Sequence, residues 1–349
     1  LRYYENQPGM QALDVLRIMD RAMVMPFINV AAYLGNHAAL VVERLSPLLV
    51  LLISCVVFTL LNPRFAQPGT ISIVLQQTAV IAALAIGQTL VIITRGIDLS
   101  QGAIIGFSSI ISAIMIVNKG VPVWAAFAII IVSGVIIGLV NGWLVAKMHV
   151  PPMIATLGTT NIVSAAALLS CNGSNIYSLP ASIKAFASIK LLNFLPGITC
   201  IMLVLLVIAH VMLSKTRFGR YTYAVGSNEI SAKFSGIKVE RHLILVYLIS
   251  GFVSAVAGVI MVCRLNSGVS TAGDGYEMNS IAAAVIGGTS LLGGEGTIIG
   301  SMVGALIMSV LSNGLQLMGI STYWQKLLVG VVLIAAVLVD NIRRRKILK

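Results

Sequence analysis

Between residues 45 and 340 the chain consists of about ten apolar runs, each near the ~20 residues an α-helix needs to cross about 30 Å of hydrocarbon. They fall at 45–62, 71–94, 101–118, 121–147, 153–171, 196–214, 242–263, 277–291, 296–317 and 322–340. Inside hydrocarbon every backbone N–H and C=O must find a partner within the protein, so runs of this length become helices. Composition agrees, with 58% hydrophobic and only 10% charged residues among 349, against about 25% charged in ordinary soluble domains. The expected fold is an all-α integral membrane domain of about ten transmembrane helices, with room for broken or re-entrant ones.

The net charge of +12 sits mainly in two clusters. One is 214–241, with Lys215, Arg217, Arg220, Lys233, Lys238 and Arg241; the other is the tail NIRRRKILK. Short basic loops mark the cytoplasmic side. Four spans separate the clusters and six precede the first, so both clusters and the N-terminus are expected in the cytoplasm. A basic face for nucleic acid is not expected. The organisation read from this is an N-terminal cytoplasmic or interfacial segment 1–44, one transmembrane domain 45–341, and a basic cytoplasmic tail 342–349. Segment 22–42 is apolar but interrupted by Pro26 and by Gly35-Asn36-His37, which favours an interfacial position over an eleventh span.

No G-x-x-x-x-G-K-[ST], H-E-x-x-H or G-x-S-x-G pattern occurs, so neither a P-loop phosphate cradle nor a recognised catalytic set is present. The chain is expected not to be an enzyme, and ATP chemistry would belong to a partner. Cys55, Cys171, Cys200 and Cys263 are scattered, and the histidines form no ligand pair; no metal site is expected.

Asp98, in TRGIDLSQG, is the only carboxylate between Glu43 and Glu229. Two readings stand. At the cytoplasmic edge it would cap the third span, with Gln101 completing a capping box; alternatively it serves a solute path or gate. Other path candidates are polar groups within apolar runs: Gln76, Gln88, Asn141, Thr156, Asn161, Asn279, Asn313 and Gln316. Glycines at four-residue spacing (Gly102/Gly106, Gly134/Gly138/Gly142, Gly296/Gly300/Gly304) predict close helix packing. GAIIGFSSIISAIM from Gly102 and GTIIGSMVGALIM from Gly296 hint at an internal repeat. In 214–241, Asn228-Glu229 followed by ISAKFSGI reads as a short helix that stops at Gly236 and could dock into a partner's groove.

Several long motifs then agree in order. K-T-R-F-G-R, A-x-G-x-N-E and S-G-I within 214–237, GIDLSQG (96–102), VPPMIATLGT (150–159), STAGDGYEMNSIAAAVIGGTSLLGGEGTIIG (270–300) and YWQKLLVGVVLIAAVLVD (323–340) resemble the permease subunits of bacterial ABC sugar importers, the ribose/galactose/xylose group. The chain departs from that pattern at Ile230 and Ser231, where two alanines are usual, at Asn279 in place of Asp, and at Pro152-Met153 in place of Pro-Phe.

The resemblance implies a multi-pass permease of the bacterial inner membrane that works as a homodimer, in contact with membrane lipid. Its partners would be an ABC ATPase subunit, which binds the ATP and Mg, and a periplasmic sugar-binding protein. This chain itself would hold no cofactor. The substrate would be a monosaccharide or polyol, selected mostly by the binding protein. Asn228, Glu229, Ala232, Lys233 and Gly236 would form the cytoplasmic coupling helix. Asp98, Asn141, Thr156, Asn161, Asn279 and Gln316 are the candidates for path or gate, and Gly273, Asp274, Tyr276 and Glu277 for the sugar entrance on the periplasmic side. A self-sufficient secondary transporter or channel for a polar solute is the competing reading; scarce intramembrane acids suit a neutral sugar better than a proton relay.

Overall fold

The computed structural model describes residues 36–183, 189–191 and 195–347. Residues up to Val50 group as one unit and those from Leu51 as another; the described part of the first is the start of helix α1 (Asn36–Leu61). Of the segment 22–42, residues 22–35 lie outside the described residues, and residues 36–42 belong to α1.

The remaining helices are α2 (Pro68–Ile93), α3 (Gln101–Ala113), α4 (Val123–Ala146), α5 (Pro152–Cys171), α6 (Gly197–Lys215), α7 (Arg217–Ser227), α8 (Glu229–Phe234), α9 (Val239–Leu265), α10 (Tyr276–Ile286), α11 (Ile298–Leu317) and α12 (Thr322–Ile347). The two-residue strands β1 (Lys190–Leu191) and β2 (Leu195–Pro196) pair antiparallel before α6. Among the described residues seven helices, α3 with its five-residue π extension among them, are long and apolar enough to cross a bilayer; Ser46–Leu61 and Thr322–Ala335 are shorter apolar stretches. α7 and α8 lie at what is here the lower end. Exposed Trp124, Tyr177, Tyr323 and Trp324 ring the upper end, as amphipathic aromatics do where hydrocarbon meets water.

The core is α2 and α9 with α3, α4, α10 and α11 around them. α2 is buried continuously from Thr78 to Ile93, and α9 buries sixteen of its residues. Both are therefore helices inside protein rather than at lipid. α4 lies on α9 through the predicted glycine row: a side chain at Gly138 would run into the Tyr247 carbonyl and the Gly251 backbone, and one at Gly251 into the Gly134 carbonyl. The Gly138→Leu variant is expected to overpack this contact by ~1–3 kcal/mol or more. Thermal denaturation of the detergent-solubilised protein should show a clear fall in midpoint; an unchanged midpoint would mean the helices separate freely.

One apolar run differs from the expectation of a full crossing, and another is entered from inside the protein. The run 277–291 contains an eleven-residue helix, α10, and then irregular chain from Gly287 to Thr297. α3 begins only after the irregular stretch 94–100, which turns back from the lower end of α2 into the protein. The two form an inverted pair. α2 descends, 94–100 climbs, and α3 continues upward; α9 ascends, 266–275 descends, and α10 continues downward. The second loop runs along α3, with Gly268 against Ala113, Ser270 against Gly106 and Gly273 against Gly102. The first runs along α10, with Leu99 among Ile281, Ala284 and Val285. Both tips meet where Glu277 and Gly273 press on Gly102. The apparent repeat between Gly102 and Gly296 likens α3 to α11, whereas the fold pairs α3 with α10. Irregular backbone at this depth is tolerated because it is buried in protein.

Candidate functional site

The tip of α3 carries Asp98. Its Oδ2 accepts from Ser250 Oγ (2.7 Å) and its Oδ1 from Ser100 N (3.0 Å) and Ser100 Oγ (2.6 Å). Ser250 lies eleven residues along the 27-residue α9, about 16 Å from its start at about 1.5 Å per residue. Asp98 is thus near the middle of the membrane-spanning thickness, not at its edge as the count of spans suggested. The capping box does not form. Ser100 is the N-cap of α3, and Gln101 turns away from Asp98 to donate to Leu84 O (3.2 Å) and Ser250 Oγ (3.0 Å).

Around the carboxylate the polar groups form one line of donors. Thr159 Oγ1 donates to Asn141 Oδ1 (2.6 Å) and Asn141 Nδ2 to Ser100 Oγ (2.9 Å). From the other side Ser280 Oγ donates to Gln101 Oε1 (2.8 Å), and Gln101 leads through Ser250 to Asp98. Asp98, Ser100, Gln101, Asn141, Ser250 and Ser280 are fully buried. The line ties α3 to α4, α5, α9 and α10, and both ends deliver hydrogen to the two carboxylate oxygens. Among the described residues Asp98 forms no ion pair. Its stabilisation comes from three hydrogen bonds and the partial positive charge at the start of α3.

Of the path candidates, Asp98 and Asn141 meet in this line. Thr156 supports it by donating to Ile97 O (3.1 Å) and Pro152 O (2.9 Å). Asn161 sits apart, exposed midway along α5, and Gln316 is exposed near the end of α11. Among the described residues, Asn279 Oδ1 and the Oε1 and Nε2 of Gln88 are buried without a hydrogen-bond partner. Asn313 is buried, and Gln76 Nε2 reaches Ser72 Oγ at 3.4 Å. Gly273 and Glu277, assigned from sequence to an outer entrance, lie at the meeting tips beside Gly102. Asp274 is exposed next to them, and Tyr276 Oη accepts from Arg264 Nη1 (3.1 Å). Sequence reading missed Ser100, Ser250, Ser280 and Thr159 because lone hydroxyls in apolar runs usually bond their own helix backbone.

At the lower end, Asn228 caps α8 by accepting from Ser231 N (2.9 Å), and Gly236 closes it with φ +82°, as that sequence predicted. Ala232 is buried between Val225 and Val239. Glu229, Ile230, Lys233 and Phe234 face outward, with Ile230 70% and Phe234 89% exposed. Asn228, Ala232 and Gly236 therefore build the helix, while Ile230, marked from sequence only as a departure from the usual alanine, and Phe234 present an apolar surface. A cavity of about 980 Å³ opens on the side of α8 that carries Glu229 and Lys233. Its buried wall is Thr94, Gly96 and Tyr247, and its rim includes Lys233, Lys238, Arg241 and the Lys147–Glu240 ion pair.

A family model described as the branched-chain amino acid transport system / permease component matches residues 70–337. The chain is 43% identical over 312 residues to the ribose import permease protein RbsC of Bacillus subtilis (strain 168), covering 86% of this chain and 94% of that protein. It is 41% identical over 300 residues to the ribose import permease protein RbsC of Escherichia coli (strain K12), covering 84% and 92%. Over 304 residues it is 40% identical to the fructose import permease protein FrcC of Rhizobium meliloti, covering 84% of each. No solved structure matches. With a match spanning most of the membrane domain and relatives aligned over most of their length, the chain belongs to the family of permease components of such transport systems.

Proposed function

We propose that this chain is the membrane-spanning subunit of an ATP-driven importer of a monosaccharide or related polyol. The observation that carries the proposal is its likeness, at 40–43% identity over more than four fifths of the chain, to permeases named for ribose and fructose import. The capped helix α8, with Ile230 and Phe234 exposed on one face, supplies the kind of apolar patch that docks in a partner's groove. That partner is an ABC ATPase, which holds ATP and Mg; a secreted sugar-binding protein delivers substrate at the upper end. The lower end, with its basic loop, faces the cytoplasm of a bacterial inner membrane, and both termini lie there.

A second copy of the chain completes the unit. Asn161, beside Gly158 on the outer face of α5, makes no side-chain hydrogen bond among the described residues. An amide left in hydrocarbon is costly, so this face suits a copy-to-copy contact or the sugar path between copies. Asp98, Asn141 and Thr156 form the hinge of that path, and Gly273, Asp274, Tyr276 and Glu277 the inner end of the entrance from the upper side, where the two half-helices meet.

Co-expression with the ATPase and binding protein, followed by reconstitution into liposomes, tests the proposal. The expected results are sugar uptake that requires ATP and the binding protein, and a native mass with two permease copies. Sugar movement by the permease alone without ATP would replace it with the secondary-transporter reading.

A further inference from the structure

We propose that Arg95 is the positioning residue that carries movement of α7–α8 to the buried Asp98. The proposal rests on the importer reading and concerns how the ATPase's motion reaches the centre of the membrane domain. Arg95 Nε donates to Gly226 O and Nη2 to Ser227 O, both at 2.6 Å. These are the last two carbonyls of α7, where the helix dipole is negative, and a guanidinium fork matches two adjacent acceptors as no ammonium can. Arg95 is itself fixed: its φ is +65° and its N–H bonds Ile92 O at 2.8 Å, in the turn where the chain reverses out of α2.

On one side of Arg95, α7 is joined to α8 through the single residue Asn228, so a force on Ile230 or Phe234 reaches Ser227 without an intervening loop. On the other side the chain passes through Gly96, packed under the Tyr247 hydroxyl, and Ile97, whose carbonyl holds Thr156, and arrives at Asp98. A shift of Arg95 therefore pulls on the Asp98–Ser250 bond and loosens the line joining α3, α9 and α10. Beside the contact of Thr222 Oγ1 with His242 Nε2 of α9 (2.9 Å), α7 has another tie to the core, Tyr223 Oη to Gly296 O (2.7 Å), which ends in the 287–297 loop, a loop that packs on Arg95 at Gly293 but is not part of the Arg95 fork. That tie supplies the control.

The experiment uses the full complex of permease, ATPase and binding protein in lipid, with Arg95→Gln, Arg95→Lys and Tyr223→Phe. Two quantities are read: sugar moved per ATP hydrolysed, and the change in amide hydrogen exchange over 94–101 when nucleotide binds. Arg95→Gln is expected to cut the sugar-to-ATP ratio about tenfold, within the range of ordinary coupling free energies, and to erase the exchange change over 94–101 while that over 217–234 persists. Arg95→Lys should fall between, and Tyr223→Phe should keep the unsubstituted ratio. An unchanged ratio in Arg95→Gln, or equal losses in Arg95→Gln and Tyr223→Phe, would overturn the assignment. If Arg95→Gln does not assemble, Arg95→Lys decides, since a lowered ratio supports the link and an unaltered one removes it. Absence of ATP-dependent uptake in the unsubstituted complex would count against the importer reading instead.

Discussion

Replacing Asp98 with Ala is expected to abolish transport and to destabilise the membrane domain. The carboxylate ends a line of donors, and its loss leaves the Ser250 and Ser100 hydroxyls pointing at nothing in a dry interior. Each orphaned group costs ~1–3 kcal/mol, so solubilised protein should show a lower melting midpoint. Asp98→Asn separates stability from mechanism. The amide can still accept from Ser100 N at the start of α3, but its NH2 now faces a hydroxyl that was itself donating. Assembly should survive, while uptake falls by about tenfold or more, the factor that 1.4 kcal/mol of misplaced hydrogen bonding gives. Normal uptake in Asp98→Asn would reduce the carboxylate to a fastening of α3.

The second large effect is expected at the lower end. Phe234→Asp, with the side chain 89% exposed, should leave the permease folded and inserted but unable to retain the ATPase on co-purification. Exposed apolar anchors of this kind are worth ~2 kcal/mol or more in an interface. Ile230→Ala should weaken retention less. By contrast a bulky residue at Ala232 should lower stability first, because that side chain is packed between Val225 and Val239. Full retention of the ATPase by Phe234→Asp would move the contact elsewhere.

The apolar runs were legible because hydrocarbon imposes one length and one polarity on every full crossing. Depth was not. Counting crossings assigns each run two ends in water, yet 94–100 and 266–275 turn within protein, where an irregular backbone finds partners and needs no polar flanks. For that reason Asp98 was read at an edge, and Gly273 and Glu277 in an outer loop. The caps of α8 were legible at Asn228 and Gly236, since both act through local backbone chemistry. Which face of so short a helix is buried depends on Val225 and Val239 outside it, so Ala232 was chosen as a contact, and Ile230 was noticed only as a departure from the pattern.

The line of donors also bears on how the chain enters the membrane. Ser280 bonds Gln101 across a sequence separation of 179 residues, and Ser250 bonds Asp98 across 152. During synthesis, therefore, α3 and its carboxylate are made long before their partners exist. The first half of the protein must wait, with its charged turn near water or sheltered by the insertion machinery, until α9 and α10 arrive. Insertion thus ends with a docking step, in which one half-helix closes upon another and Asp98 is dehydrated last.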